Sequence, residues 1–136
     1  MIKIILTLLL ITTLYASDDK KASGILNLIA KDITEKPYPN VYLHTHNSSL
    51  KLYPGNIKIV KSCKEADLVI LSTIDEIPKE CLVKLLFGTR YSHLKNQNVI
   101  GAFFWQKGRP NILFYQKRLN RNSIKLDPSF DKYIED

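Results

Sequence analysis

The chain has 136 residues, 45% of them hydrophobic, which suffices for one domain with a buried core and is too few for two. Its formal net charge is +7, and the charges are interspersed along the chain. Neither a basic helix nor an RNP-like motif appears, so the sequence argues against a nucleic-acid partner. The positive charge favours an acidic partner or an anionic membrane surface.

Residues 1–16 differ in composition from everything that follows. Lys3 precedes a run of Ile and Leu, and the sequence Leu14-Tyr15-Ala16 ends the segment. This order is typical of a signal peptide cleaved after Ala16, and it predicts one exported domain of residues 17–136, most simply in a bacterial periplasm. The apolar run is short for a membrane span. An uncleaved anchor is the alternative, because Leu14 is not ideal beside a cleavage site.

An amphipathic helix over residues 19–34 is predicted next. Asp18 or Asp19 is the expected N-cap, and Pro37 and Pro39 are expected to end the helix. The pattern indicates contact with the core, because apolar residues recur with helical spacing at Ala22, Ile25, Leu26, Ile29, Ala30 and Ile33.

Three strands are predicted in the middle of the chain. Residues 41–45 and 57–60 form the first two, separated by a turn at 47–49 and by the Pro54-Gly55 pair. The third, residues 68–72, is apolar on both faces until its last residue. A strand of this kind belongs in the middle of a mostly parallel sheet that is covered on both sides by helices.

Residues 82–88 are compatible with two structures. A short apolar run that ends at Gly88 favours a strand. The helical spacing of the apolar residues from Cys81 to Leu86, with Pro78 in a first turn, leaves a helix as the alternative. Residues 90–96 are then expected to form a short helical turn.

The last third of the chain predicts a β-hairpin and a helix. Strands 99–105 and 110–116 flank a turn that contains Gly108. Residues 127–135 are expected to form a terminal helix with Asp127 as its cap. The whole pattern predicts the α/β class, with a single three-layer-like domain in which a mixed sheet of five or six strands is flanked by helices.

Cys63 and Cys81 are the two cysteines of the chain. An even count in an exported protein favours one disulfide. Both residues precede apolar runs, so neighbouring parallel strands would bring the two sulfurs to the same edge of the sheet. A structural disulfide is the main interpretation. A redox-responsive bond and two free thiols are the alternatives.

His44 and His46 are the candidate metal ligands. Two residues that are two apart on a strand project from one face, and His93 or a carboxylate would complete a site. No further ligands appear at recognisable spacing, so we predict neither a metal nor a cofactor. The sequence also lacks a nucleophile elbow and a glycine-rich phosphate loop, and we therefore expect no enzymatic activity.

The hairpin and the residues after it are the candidate partner-binding surface. Aromatic residues interleaved with arginine are the composition of protein-binding hot spots. Because side chains alternate along strands, about half of them are expected to face solvent. The candidate residues are Trp105, Lys107, Arg109, Arg118 and Arg121.

From Cys63 onward, the order of features resembles the YfiR-like periplasmic proteins. A Cys precedes a strand, a second strand follows, and a hairpin leads through an Asn-bearing stretch to a short final helix. The N-terminal helix that ends at a Pro-containing segment also fits this order. The matching segments are 66–72, 82–87, 89–94, 99–104, 109–115, 119–126 and 130–134, whereas Asn96-Gln97-Asn98 replaces the paired glycines of the family.

The resemblance implies a small periplasmic α/β regulator. Such a protein would bind the periplasmic part of an inner-membrane signalling protein, classically a diguanylate cyclase, and would show disulfide-dependent behaviour and dimerisation. The alternative function is a small-ligand or metal-binding protein. It would use His44 and His46, or a cleft at the carboxyl ends of the strands.

Overall fold

A computed structural model describes the backbone of residues 2–73 and 76–136, and the side chains from Asp18 onward. The first helix, α1, spans Ile2–Thr34 and is longer than the predicted helix. The side chains of the predicted signal peptide lie outside the described residues. Asp19 lies within the helix, where it accepts a hydrogen bond from the Ser49 hydroxyl (2.8 Å), so the expected N-cap is wrong.

The predicted end of α1 is confirmed. The helix stops at Thr34, and Glu35 follows with a left-handed backbone (φ 56°) before Pro37. Within the described part of the chain, no helix combines the length and the apolar character that crossing a membrane requires.

Seven strands form one mixed sheet, which confirms the predicted α/β class with a slightly higher strand count. The sheet order is β2-β1-β3-β4-β5-β6-β7. The first five strands in this order are parallel, β6 is antiparallel to β5, and β7 is parallel to β6. The strands are β1 (Asn40–His44), β2 (Lys58–Val60), β3 (Leu68–Leu71), β4 (Leu85–Gly88), β5 (Val99–Gln106), β6 (Arg109–Tyr115) and β7 (Ile134–Glu135).

Two short helices were not expected. The predicted turn at 47–49 is part of α2 (Ser48–Leu52), because the Asn47 side chain caps it by accepting from the Leu50 backbone N–H (3.0 Å). The second is α3 (Gln116–Arg121), directly after β6. The expected terminal helix is a 3₁₀ helix, Pro128–Tyr133, which Asp127 caps as predicted and which β7 follows.

The strand prediction for residues 82–88 is confirmed in its second half. A 3₁₀ turn, Lys79–Cys81, precedes β4, and residues 82–84 form a turn because Lys84 N donates back to the Cys81 carbonyl (3.0 Å). The strand begins where Leu85 pairs with Leu68 of β3. The predicted helical turn after β4 is the 3₁₀ helix Tyr91–Lys95.

The sheet separates two apolar layers. Alternation along β3 places Leu68 and Ile70 on the side of α1, which we call the α1 face, and Val69 and Leu71 on the other side, the disulfide face. The α1 face packs against a buried helical stripe that confirms the predicted one: Ala22, Leu26, Ile29, Ala30 and Ile33. The disulfide face is covered by three 3₁₀ segments: Cys63–Glu65, Lys79–Cys81 and Tyr91–Lys95.

The predicted hairpin is confirmed. β5 and β6 are joined through Lys107 and Gly108, both with positive φ (51° and 73°). Two consecutive residues of this kind make the type I′ turn whose twist suits a two-residue hairpin loop.

The order of the strands predicts where a ligand-binding crevice lies at the edge of the sheet. From β1 the chain crosses to β2 on one side and then returns to β3 on the other. The first connection lies on the α1 face, where Leu50 of α2 is buried, and the second lies on the disulfide face, where Cys63 is buried. In open α/β sheets, ligands bind outside the carboxyl ends of the strands at such a reversal.

Candidate functional site

A crevice of about 260 Å³ opens at the carboxyl edge of the parallel strands, on the α1 face. Its polar wall includes residues that directly follow β3 and β4, and its apolar wall comes from α1 and β5. The residues that carry its chemistry are Ser72, Thr89 and Arg90 on the polar wall, and Leu26, Phe103 and Trp105 on the apolar wall.

Ser72 contributes a buried hydroxyl to this crevice. It follows Leu71, the last residue of β3, whose side chain packs on the disulfide face, so alternation turns the Ser72 side chain toward the α1 face. Its backbone N–H donates to the His44 carbonyl (3.2 Å). Its Oγ has no hydrogen-bond partner among the described residues.

Two bonds attach the end of β4 to the end of β3. The Thr89 hydroxyl donates to the Leu71 carbonyl (2.6 Å), and Arg90 Nε donates to the Ser72 carbonyl (3.2 Å). Arg90 forms no ion pair with any described residue. Among the described residues, its two terminal nitrogens have no hydrogen-bond partner, so they retain their donors at the wall of the crevice.

His93 holds the loop after β4 in place. Its Nδ1 accepts from the backbone N–H groups of Thr89 (3.0 Å) and Arg90 (3.1 Å), and its Nε2 lies 2.6 Å from the Thr73 carbonyl oxygen. This arrangement requires the neutral ring with its proton on Nε2. Burial lowers the pKa of His93, and the charges of Arg90 and His44 lower it further against the opposing effect of the Thr73 carbonyl.

Three buried polar atoms lack a partner within the described residues, and all three lie at this edge. They are His44 Nε2 and Thr45 Oγ1, at the end of β1, and Ser72 Oγ, at the end of β3. Most buried polar atoms in proteins are hydrogen-bonded, so such a concentration calls for an explanation.

Sequence reasoning missed Ser72, Thr89 and Arg90. The available signal was that polar residues directly follow two predicted strands.

The two candidate metal ligands are not brought together on one strand face. β1 ends at His44, which is buried, and Thr45 has a positive φ (69°) that interrupts the alternation. His46 is exposed. The proposed third ligand, His93, uses both ring nitrogens in bonds to the protein. The described residues contain no group of three side chains suited to a metal ion.

The five candidate partner residues fall into two sets at opposite ends of β5 and β6. Arg118 is buried and donates to the carbonyls of Asn96 (3.1 Å) and Val99 (2.8 Å). Arg121 donates to the Gln97 carbonyl (3.2 Å). These two arginines hold the start of β5, roughly 20 Å along the strand from the turn at its far end.

The other three candidates, with one further aromatic residue, form the hairpin tip: Tyr91, Trp105, Lys107 and Arg109. Trp105 is 43% exposed and packs edge-on against Phe103 on the α1 face. Tyr91 is 62% exposed and packs edge-on against Phe104 on the disulfide face. Neither Lys107 nor Arg109 forms an ion pair with a described residue. The tip thus presents an aromatic side chain on each face of the hairpin and two cations near its turn.

The predicted disulfide joins Cys63 and Cys81, with 5.1 Å between the Cα atoms. Both residues precede neighbouring parallel strands, as the sequence predicted, and both are buried. The bond lies at the amino edge of the sheet, at the opposite end from the crevice and the hairpin tip. The alternative of two free thiols is not realised.

A larger depression, of about 530 Å³, lies between the end of α1 and the segment 125–130. Its charges are mixed, and Asp32 in its wall accepts from the Asp127 backbone N–H (2.8 Å). None of the three residues with an unpartnered polar atom lines it, whereas one of them, Ser72, lines the crevice. The crevice is therefore the better candidate for a binding site.

No protein-family model matches the chain, and a search of curated proteins finds no match. The likeness to YfiR-like proteins stays a prediction from the sequence.

Proposed function

We propose that this protein is an exported, non-enzymatic regulator that binds the periplasmic part of an inner-membrane signalling protein through its hairpin tip. The observation that carries the proposal is the exposure of two aromatic side chains, Tyr91 and Trp105, beside the cations Lys107 and Arg109. Tyrosine, tryptophan and arginine are the residues most enriched in binding hot spots.

The charge of the tip selects the chemistry of the partner. Lys107 and Arg109 have no acidic neighbour to pair with among the described residues, and the whole chain carries +7. An acidic surface around an apolar pocket is complementary to such a tip, since opposite potentials steer encounter and fix register. The partner is thus a protein with an acidic exported domain.

Three features support a periplasmic location for the protein. The buried disulfide is typical of exported proteins, and residues 1–16 have the composition of a signal peptide. The likeness to YfiR-like proteins supports a periplasmic location and a diguanylate cyclase or similar signalling protein as the partner. The same likeness supports a homodimer as a further expectation.

Affinity capture tests the proposal. The oxidised domain of residues 17–136 is crosslinked to detergent-solubilised membranes, and captured proteins are identified by mass spectrometry. We expect one dominant membrane protein with an acidic exported domain, and we expect Lys107→Glu/Arg109→Glu to abolish its capture.

The matched control reverses two exposed cations that flank the disulfide at the amino edge, Lys61→Glu/Lys79→Glu, with the same change in net charge. Capture should survive in this variant. Equal loss in both variants would mean that net charge alone drives capture, and undiminished capture by the tip variant would remove the tip from the interface. Either result overturns the proposal.

A further inference from the structure

We propose that the crevice at the carboxyl edge binds a small monocarboxylate with a short apolar tail. Trp105 borders both this crevice and the hairpin tip, whereas the cations of the tip, Lys107 and Arg109, do not line the crevice. Its polar wall would hold the carboxylate, and its apolar wall would hold the tail.

The position and the unpartnered hydroxyl point to a ligand. The crevice lies outside the carboxyl ends of parallel strands, beside the reversal of strand order between β1 and β3. Ser72 Oγ, in its wall, is buried without a partner among the described residues. A bound oxygen atom would satisfy this hydroxyl, whose isolation otherwise costs free energy.

The charges of the residues that line the crevice favour an anionic ligand. Arg90 is oriented by its Nε bond to the Ser72 carbonyl, which leaves its terminal nitrogens available in the fork geometry that suits a carboxylate. No Asp or Glu among the described residues lines the crevice. The carboxylate of Asp19 already accepts from the hydroxyl of Ser49, which lines the crevice.

The apolar wall and the volume of the crevice indicate the size and polarity of the remainder of the ligand. Leu26, Phe103 and Trp105 lie on this side of the crevice. Its volume of about 260 Å³ falls below the range of roughly 300 Å³ and above that is usual for drug-sized ligands. An acid with a short hydrocarbon tail fits both features better than inorganic phosphate, which has no apolar part.

Trp105 is the single tryptophan of the chain, so its fluorescence reports directly on the crevice. The purified domain is titrated with sodium pentanoate, with its neutral analogue pentanamide and with inorganic phosphate. We expect a saturable change with pentanoate and at least about tenfold weaker binding of the other two, because only pentanoate offers both a charge and a tail. No saturable change with pentanoate in the millimolar range, or equal binding of either analogue, overturns the proposal.

Substitutions of the crevice residues test the role of each in ligand binding. Arg90→Gln should weaken pentanoate binding about tenfold or more, whereas Lys117→Gln, an exposed cation outside the crevice, should leave it unchanged. Ser72→Ala should weaken binding and yet raise the thermal unfolding temperature, because it removes an unpartnered buried hydroxyl. Equal affinities across wild type, Arg90→Gln and Ser72→Ala, with each protein shown to be folded, would overturn the site. This assay contains no protein partner, so its failure leaves the proposed regulatory function standing.

Discussion

The guanidinium of Arg118 donates a hydrogen bond of 2.8 Å to the carbonyl of Val99, the first residue of β5. A second bond of 3.1 Å reaches the Asn96 carbonyl, and the guanidinium carbon lies 4.5 Å from the centre of the Tyr115 ring. These contacts connect α3 to the loop that enters β5. A residue that the sequence suggested for partner binding is thus part of the folded framework.

Arg118→Met should destabilise the protein by about 2 kcal/mol, because it removes both hydrogen bonds of the guanidinium, including the buried bond to the Val99 carbonyl. The exposed neighbour offers a matched control, and Lys117→Met should stay within about 0.5 kcal/mol of wild type. Urea unfolding measures both. An Arg118 variant as stable as the Lys117 variant would contradict the structural role.

Two glycines should respond to alanine in opposite directions. A Cβ on Gly101 would lie 2.7 Å from the Leu113 carbonyl oxygen and 2.5 Å from Phe114, so Gly101→Ala should destabilise by more than about 2 kcal/mol. Gly24 lies on α1 with nothing within 4 Å of such an atom, so Gly24→Ala should stabilise by about 0.5–1 kcal/mol. Thermal unfolding of the two variants measures both effects. A Gly101 variant more stable than the Gly24 variant would contradict the packing of β5 against β6.

The disulfide should contribute about 3 kcal/mol to stability, since it closes a loop between residues 18 apart in sequence. Cys63→Ala/Cys81→Ala should therefore unfold at a lower urea concentration than the oxidised wild type. Intact mass after alkylation gives the direct check. Native protein should take up no label before reduction, and two labels on unreduced native protein would contradict the bond.

Acid should destabilise the fold through His93. Its folded pKa is lowered, mainly by burial, so the unfolded chain binds the proton more readily. Stability should be level above 6.5, the ordinary pKa of histidine, and should fall as the pH drops below that value toward the lowered pKa of the folded protein. Protonation of Nδ1 would also break the bonds from Thr89 and Arg90.

Denaturant unfolding between about pH 8 and about pH 5 measures this slope. His93→Asn keeps an acceptor but cannot be protonated, so its stability should change less over this range. The exposed His46 provides the control, and His46→Asn should keep the slope of wild type. A full slope in His93→Asn would show that another group is responsible.

Much of the fold could be predicted, because a strand that is buried on both faces leaves a continuous apolar run in the sequence. The apolar run of β3 predicted a central parallel strand, and a strand for its neighbour β4 was favoured over a helix from the apolar run that ends at Gly88. The same two strands correctly placed Cys63 beside Cys81. Helix α3 was missed because Leu119 is the single apolar residue among its six.

The candidate site was less accessible to sequence reasoning, since it depends on register. Ser72 and Arg90 are 18 residues apart and meet only because β3 and β4 pair in parallel. The pairing of His44 with His46 failed for a local reason: the positive φ of Thr45 interrupts the alternation that the argument assumed. Single-residue conformations of this kind leave little trace in composition or spacing.

The central claim is that the partner docks on the hairpin tip. Site-specific photocrosslinking tests it most directly, with benzoylphenylalanine in place of Tyr91, Trp105 or Val83 in the exported protein. Val83 is the control, because it is 84% exposed and lies near the disulfide at the opposite edge of the sheet. We expect positions 91 and 105 to form a covalent adduct with one inner-membrane protein and position 83 to form none. An adduct from position 83, with none from 91 or 105, would contradict the account.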